Sequence, residues 1–292
     1  MSGATAYRPR RSVLYMPASN ERALEKATTI PVDGLILDLE DAVGPDFKEA
    51  ARANACAAAR SGNYGRREVT IRVNGIGTQW HDDDLAAACA AGPDGIVVPK
   101  VNKAKEVRRL VQAMEGHGAP EHTRLWAMIE TPEAIFNVRK IAGESQRLAC
   151  FVLGTNDLVK ELQAQHVPGR APLLTALSLA VLAARRAGIA VLDGVYNNVR
   201  DAEGFAAECA QGRDFGFDGK TLIHPDQVAP CNAAFSPTDE QVDDARGLIE
   251  AFETAMAEGK AVATYQGKLV EHLHVMMAEK VLAAREAIES LS

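Results

Sequence analysis

Short apolar runs alternate with Ala-rich amphipathic stretches along most of this chain of 292 residues. Eight runs have the length and the apolar composition of buried strands, and helical spacing of apolar residues follows most of them. In chain order they cover residues 12–17, 34–41, 68–74, 95–100, 126–132, 151–157, 190–196 and 219–225. Repeated βα units with no strand left over predict an α/β fold, namely a closed (β/α)8 TIM barrel.

The pattern changes after residue 236. Residues 238–257 have the spacing of a long amphipathic helix, residues 262–270 resemble a short extended pair around Gln266-Gly267-Lys268, and residues 275–288 predict a final helix. None of these segments continues the βα repeat. We therefore expect a catalytic barrel domain at 1–236 and a helical and hairpin extension at 237–292 that acts as a lid or in oligomerisation.

Polar side chains end most of the predicted strands. In a TIM barrel, the reacting groups come from the C-terminal strand ends. We expect the following residues there: Asp38, Glu40, Asp41, Arg72, Asn74, Lys100, Glu130, Asn156, Asp157, Asp193, Lys220 and His224. The connection at 163–171, which contains Pro168-Gly169, is predicted to be a mobile loop on the same face.

Glu130 and Asp157 end the fifth and sixth predicted strands, which are neighbours in such a barrel. Carboxylate ligands without cysteine or clustered histidine favour Mg²⁺, with Mn²⁺ as a second possibility, over zinc. The alternative is that both acids only stabilise the starts of the following helices. The residues alone leave both interpretations open.

Arg72 lies between two apolar residues, so its guanidinium is expected to be held in place. Its planar fork suits a carboxylate or a thioester carbonyl, but a structural ion pair with Asp38 or Glu40 explains it almost as well. Alternate side chains of 38–41 share one face. Asp38, Glu40 and Asp41 could orient water on a metal, accept a proton, or pair with Arg72 and Lys100.

Composition narrows the possible partners. The net charge of −7 gives no electrostatic reason to bind nucleic acid, and no window has the length of a membrane span. The apolar stretch at 13–16 is too short for a signal peptide. Scattered cysteines without a CxxC pair predict buried free thiols and a cytoplasmic protein; they are Cys56, Cys89, Cys150, Cys209 and Cys231.

Six stretches together resemble a known family. They are RSVLYMP at 11–17, DLEDAV at 38–43, RVNG at 72–75, MIET at 128–131, GTNDL at 154–158 and DGKTLIHP at 218–225. In this order they resemble the citrate lyase β-subunit-like CoA-ester lyases of the HpcH/HpaI aldolase group. Such enzymes cleave or form the C–C bond of 3-hydroxyacyl thioesters such as malyl-, citramalyl- or citryl-thioester.

The resemblance implies roles for the strand-end residues. Mg²⁺ would lie on Glu130 and Asp157, and Arg72 would contact the carboxylate or carbonyl of the substrate. Glu130 and Asn156 are further candidates for substrate binding, and Asp41 is a candidate proton acceptor.

The resemblance also implies where coenzyme A, as part of the substrate, would lie. Tyr15 and Lys26 near the first strand, together with Ile223 and His224, would follow the CoA arm. On the residues alone, His224 before Pro225 is better explained as a hydrogen-bonded structural histidine.

Glu271 is a departure from the family pattern. Many of these lyases have an Asp after a Gly-Lys pair in the tail that reaches the site of a neighbouring subunit, and Glu271 stands at that place after Gly267-Lys268. The resemblance therefore implies Glu271 as a catalytic acid or base and a homo-oligomer, a trimer or a hexamer.

Three reactions remain open. The tail at 271–274, Tyr196-Asn197 and the segment 211–214 look like the malyl-CoA thioesterase branch, in which water attacks the thioester. We expect a lyase acting on a malyl- or citramalyl-type CoA ester first and a malyl-CoA thioesterase second. A citrate lyase β-type subunit acting on a citryl thioester is the third candidate.

Overall fold

The computed structural model describes residues 8–291, in which eight parallel strands close into a barrel. Each strand pairs with the next one along the chain, and the eighth returns to the first. The strands are β1 (Ser12–Pro17), β2 (Gly34–Asp38), β3 (Glu68–Arg72), β4 (Gly95–Val98), β5 (Arg124–Ile129), β6 (Leu148–Leu153), β7 (Ala190–Asp193) and β8 (Gly219–Leu222). The predicted (β/α)8 TIM barrel is confirmed.

Helices follow the strands as the apolar spacing predicts. They are α1 (Glu21–Ala27), α2 (Lys48–Arg60), α3 (His81–Ala91), α4 (Ala104–Gly116), α5 (Pro132–Ala142), α6 (Thr155–Glu161), α7 (Leu174–Ala187), α8 (Ala202–Phe215) and α9 (Val228–Ala234). The sequence did not predict α6, whose first residues fall inside the predicted strand 151–157, or α9, a helix of seven residues that contains Pro230. Strand β6 ends at Leu153, so Asn156 and Asp157 lie in the first turn of α6 and the prediction of a strand end there is wrong.

The described chain divides into two compact units, and the barrel lies in the unit Arg10–Phe235. The other unit contains α10 (Asp239–Ala257), β9 (Ala263–Tyr265), β10 (Lys268–Val270) and α11 (His272–Glu289). Strands β9 and β10 are antiparallel, and positive φ at both Gln266 and Gly267 allows a tight hairpin turn. The predicted helical and hairpin extension is confirmed, with α11 beginning earlier than residue 275.

Side chains of the strands alternate between the barrel interior and the layer under the helices. The interior cluster consists of Val13, Ile36, Val97, Trp126, Met128, Cys150, Val152 and Leu192. This packed interior leaves the C-terminal mouth as the place for chemistry. The five cysteines are buried and free, as predicted. No helix within residues 8–291 is long and apolar enough to cross a membrane.

A buried ionic network joins the end of β7 to the start of β8. Arg170 Nη1 donates to Asp193 Oδ1 and Oδ2 at 2.7 and 2.8 Å, and Lys220 Nζ donates to Asp193 Oδ2 at 3.1 Å and to Glu208 Oε1 at 2.7 Å. Asp193 and Lys220 are therefore paired with each other. Lys220 is the second residue of β8, so the expectation that it lies at the C-terminal end of a strand is wrong. Arg170 belongs to the connection at 163–171 that was expected to be mobile. Its buried side chain joins this connection to the end of β7 through Asp193.

Candidate active site

A cleft of about 300 Å³ opens at the C-terminal mouth of the barrel. Its walls come from the ends of seven strands and the segments that follow them. The lining residues are Tyr15, Asp38, Asp41, Ala42, Arg72, Met128, Glu130, Leu153, Gly154, Thr155, Asn156, Asp157, Val195, Thr221 and Ile223. The cleft thus brings together most of the candidate residues that the sequence places in the barrel.

Glu130 follows β5 and is only 2 % exposed. Its Oε1 accepts a hydrogen bond of 2.8 Å from the N–H of Lys100. Helix α5 is capped by Thr131, whose Oγ1 accepts from the N–H of Ala134 at 3.0 Å, so Glu130 is not a helix-capping acid. Burial, together with the negative charges of Glu40 and Asp157, raises the pKa of Glu130 to about 7.

Asp157 lies in the first turn of α6, beside the end of the neighbouring strand β5. Its Oδ1 is 3.6 Å from the ammonium of Lys100. Within residues 8–291 no three His, Cys, Asp or Glu side chains gather as a metal site by themselves. The two acids would therefore share a cation with oxygen atoms of substrate and water, which is how Mg²⁺ is usually bound. The hard carboxylate oxygens and the raised pKa of the buried Glu130 both fit a divalent cation such as Mg²⁺.

Gly154 lets the Glu130 carboxylate pack directly against the next strand end. A Cβ at Gly154 would overlap both Oε2 and Cβ of Glu130, and a Cβ at Gly194 would overlap the Thr155 side chain. The N–H of Gly154 donates to Ile129 O at 3.2 Å. The sequence analysis placed Gly154 inside the predicted strand at 151–157, and its steric role depends on contact with Glu130, which is distant in the chain.

Arg72 is held by acids at the end of β2 and just after it. Its Nε and Nη2 donate to Asp38 Oδ1 and Oδ2 at 2.6 and 2.7 Å, and its Nη1 is 2.7 Å from Glu40 Oε2. The guanidinium carbon lies 4.9 Å from the centre of the Tyr15 ring. The structure therefore contains the ion pair that the sequence left as an alternative. Burial raises the pKa of Glu40 to about 7 against the opposing charge of Arg72.

Two candidate residues lie at the rim of the cleft. The Asp41 side chain is 67 % exposed, with Oδ2 3.4 Å from Arg72 Nη1. Exposed Asn156 exchanges amide hydrogen bonds of 2.7 and 3.1 Å with Asn197. Asn156 therefore joins the start of α6 to the segment after β7.

The residues expected along a CoA arm occupy different depths. Tyr15 lies under Arg72, where burial raises the pKa of its phenol. Lys26 is exposed in the last turn of α1, and Ile223 is a half-exposed wall of the cleft. Half-buried His224 accepts a hydrogen bond at Nδ1 from the N–H of Asp226 at 3.2 Å. His224 thus begins the short 3-10 helix that follows β8, as expected of a structural histidine.

Sequence reasoning missed Gln227. Its buried side chain accepts at Oε1 from the N–H groups of Ile223 and His224, at 3.1 and 3.3 Å. Its Nε2 donates to Tyr196 O at 3.0 Å. Gln227 therefore joins the segments after β7 and β8, a role for which one glutamine in a polar loop gives no sequence signal.

Glu271 belongs to the C-terminal unit. It is exposed and directly precedes α11, and its N–H donates to His274 Nδ1 at 3.0 Å. The Glu-x-Leu-His tail is thus a helix start with an exposed carboxylate.

Known proteins are similar to this chain in sequence. Residues 11–225 match the HpcH/HpaI aldolase/citrate lyase family. A (3S)-malyl-CoA thioesterase of Cereibacter sphaeroides is 46 % identical over 280 residues, which cover 96 % of both chains. Citrate lyase subunit beta of Escherichia coli is 35 % identical over 284 residues, covering 96 % of this chain and 94 % of that one.

Solved structures agree with the sequence comparisons. Protein CitE from Mycobacterium tuberculosis, in complex with magnesium, acetoacetate and coenzyme A, is 26 % identical with a TM-score of 0.78. The match covers 96 % of this chain and 99 % of that chain. A Burkholderia xenovorans citrate lyase, 21 % identical with a TM-score of 0.85 over 99 % and 94 % of the two chains, shares the fold. This chain belongs to the HpcH/HpaI aldolase/citrate lyase family.

Proposed function

We propose that this chain is a Mg²⁺-dependent enzyme that acts on a 3-hydroxyacyl-CoA of the malyl type and hydrolyses its thioester. The main support for a metal site is that buried Glu130 and Asp157 line the same cleft, which also contains Arg72. The 46 % identity to a (3S)-malyl-CoA thioesterase favours hydrolysis, which the sequence placed second.

C–C cleavage of the same substrate is the second candidate function. Glu40, with its pKa near 7, lies beside Arg72 and can accept the proton of a substrate hydroxyl close to neutral pH. The products would be a 2-oxo acid and an acyl-CoA. A citrate lyase β-type role on a citryl thioester is supported by the 35 % identity to citrate lyase subunit beta.

The chain's own residues would divide the work as follows. Glu130 and Asp157 would hold Mg²⁺, which when bound supplies a Lewis acid for the oxygen atoms of the substrate. Arg72, fixed by Asp38, would place positive charge where negative charge develops on the thioester or carboxylate oxygen. Asp41 at the rim would accept a proton from the water that attacks the thioester.

The CoA arm would follow the other side of the mouth. Tyr15 and Ile223 line the cleft. Exposed Lys26 and half-buried His224 lie on the segments that follow β1 and β8. Asn156 at the rim would contact the acyl group. We further propose a homo-oligomer, a trimer or a hexamer, which sedimentation would identify.

Incubation with malyl-CoA and Mg²⁺ tests the reaction. We expect malate and free CoA in equal amounts, measured by thiol release and by chromatography of the acids. Glyoxylate and acetyl-CoA would instead support the lyase. A lack of turnover with malyl-CoA, combined with cleavage of a citryl thioester, would support the subunit role.

Glu271 is proposed as an acid or base of the reaction. We expect Glu271→Ala to lower kcat by about a hundredfold or more, because general acid–base groups contribute at least this much. Its dissociation constant for Mg²⁺ should stay unchanged. Glu279→Ala, an exposed acid on the same helix, is the matched control. An unchanged kcat in Glu271→Ala would remove Glu271 from the mechanism.

A further inference from the structure

Lys100 has an unusual backbone just after β4. Its φ is +52°, and it is one of four non-glycine residues with positive φ in the described part of the chain. This left-handed conformation costs an L-residue roughly 1–2 kcal/mol, so the surrounding structure must hold it. Such positions often lie where a backbone or side chain has to be aimed.

The left-handed turn directs two groups of Lys100 toward the two acids of the cleft. Its backbone N–H donates to Glu130 Oε1 at 2.8 Å, and its Nζ is 3.6 Å from Asp157 Oδ1. Burial lowers the pKa of the ammonium, but the carboxylates of Asp157 and Glu130, with those of Glu40 and Asp41, raise it overall. The ammonium therefore lies in the field of the whole acid cluster.

The other cations near this cluster are fixed by several acceptors. Lys48 Nζ donates to Leu39 O, Glu40 O and Asn74 Oδ1 at 2.7 to 2.8 Å, and Arg72 is held by Asp38 and Glu40.

Lys100 is held less tightly than these two. Its side chain is 46 % exposed and borders a separate cavity of about 610 Å³. Its ammonium has room to leave Asp157 without unfolding any element.

We propose that Lys100 is a positioning residue that sets the affinity of the acid pair for a divalent cation. Its N–H orients the Glu130 carboxylate, and its ammonium is the counter-ion of Asp157 until the cation binds and displaces it. This inference rests on the proposed function, because it takes the cation to lie on Glu130 and Asp157.

The two parts of Lys100 can be tested separately. Lys100→Asn removes the ammonium but keeps the N–H and tolerates positive φ, so it should bind Mg²⁺ on the order of tenfold more tightly. Lys100→Arg should keep the wild-type affinity within about threefold, since it retains the charge. Lys100→Val disfavours positive φ and should weaken Mg²⁺ binding, because its N–H turns away from Glu130.

Calorimetric titration of metal-free protein with Mg²⁺ alone measures these affinities, and thermal unfolding checks that each variant is folded. Lys103→Asn is the matched control, because Lys103 pairs with Glu133 and its loss also removes one positive charge. Its affinity should stay at the wild-type value.

If the wild-type protein binds Mg²⁺ and Lys100→Asn binds it no more tightly, the inference about Lys100 is overturned. The proposed function would be unaffected by that result. Equal tightening in Lys103→Asn would also overturn it, because the effect would then be one of net charge. A wild-type protein that binds no Mg²⁺ would contradict the proposed function, and the inference with it.

Discussion

Glu130→Gln is expected to weaken Mg²⁺ binding by at least about a hundredfold and to lower kcat by about a thousandfold or more. Glutamine keeps the size of the side chain and an oxygen that accepts from the Lys100 N–H, but it removes the negative charge that a divalent cation needs. Asp157→Asn should act in the same direction. Calorimetric titration with Mg²⁺ and CoA release from malyl-CoA measure the two effects.

Glu130→Gln should not destabilise the fold. A carboxylate that is 2 % exposed, with its pKa raised by burial, is costly in its charged form, so the neutral amide should leave the metal-free protein at least as stable. Glu133→Gln, on the exposed first turn of α5, is the control for the loss of one acid. Full activity and full metal affinity in both Glu130→Gln and Asp157→Asn would show that the cation site is wrongly assigned.

Arg72→Met is expected to lower the free energy of unfolding by about 3–5 kcal/mol, the usual cost of removing one partner of a buried ion pair. The buried Asp38 carboxylate would keep only the N–H groups of Glu40 and Ala42 as partners, at 2.9 and 3.1 Å. Urea unfolding measures the loss.

A double variant tests the cause of that loss. Asp38→Asn combined with Arg72→Met should recover part of the stability, because the buried charge of Asp38 is then removed together with its partner. Arg213→Met, which removes an exposed arginine paired with Asp214, should change stability by less than about 0.5 kcal/mol. If Arg72→Met costs no more than Arg213→Met, the buried pair does not support the fold.

Arg72 also shows how far sequence reasoning reaches. Its place at the end of β3 could be predicted from the apolar run before it, and a held guanidinium was expected there. Its partner Asp38 lies 34 positions away, and the choice between ion pair and substrate contact could not be made without that neighbour. The structure contains the ion pair, while the contact with substrate stays a proposal.

The two acids of the candidate site also differ in how well the sequence predicted their positions. Glu130 could be placed because a buried strand stops directly before it, whereas Asp157 was assigned to a strand end and lies in a short helix. Helix α6 is too short to show a helical period, so its first residues were assigned to the strand before it. Asp193 and Lys220 were expected as separate polar groups at strand ends, and only the structure shows that they pair with each other.

The sequence by itself determined the barrel, the hairpin and helices of the extension, and the strand ends that carry Arg72 and Glu130. It could do so because burial imposes a periodic pattern on each element, and that pattern is local. Only the tertiary structure decided which polar groups meet: Lys100 with both acids, Gln227 between two loops, and Gly154 under Glu130. Such contacts join residues far apart in the chain, and a partner met through space leaves no period to detect.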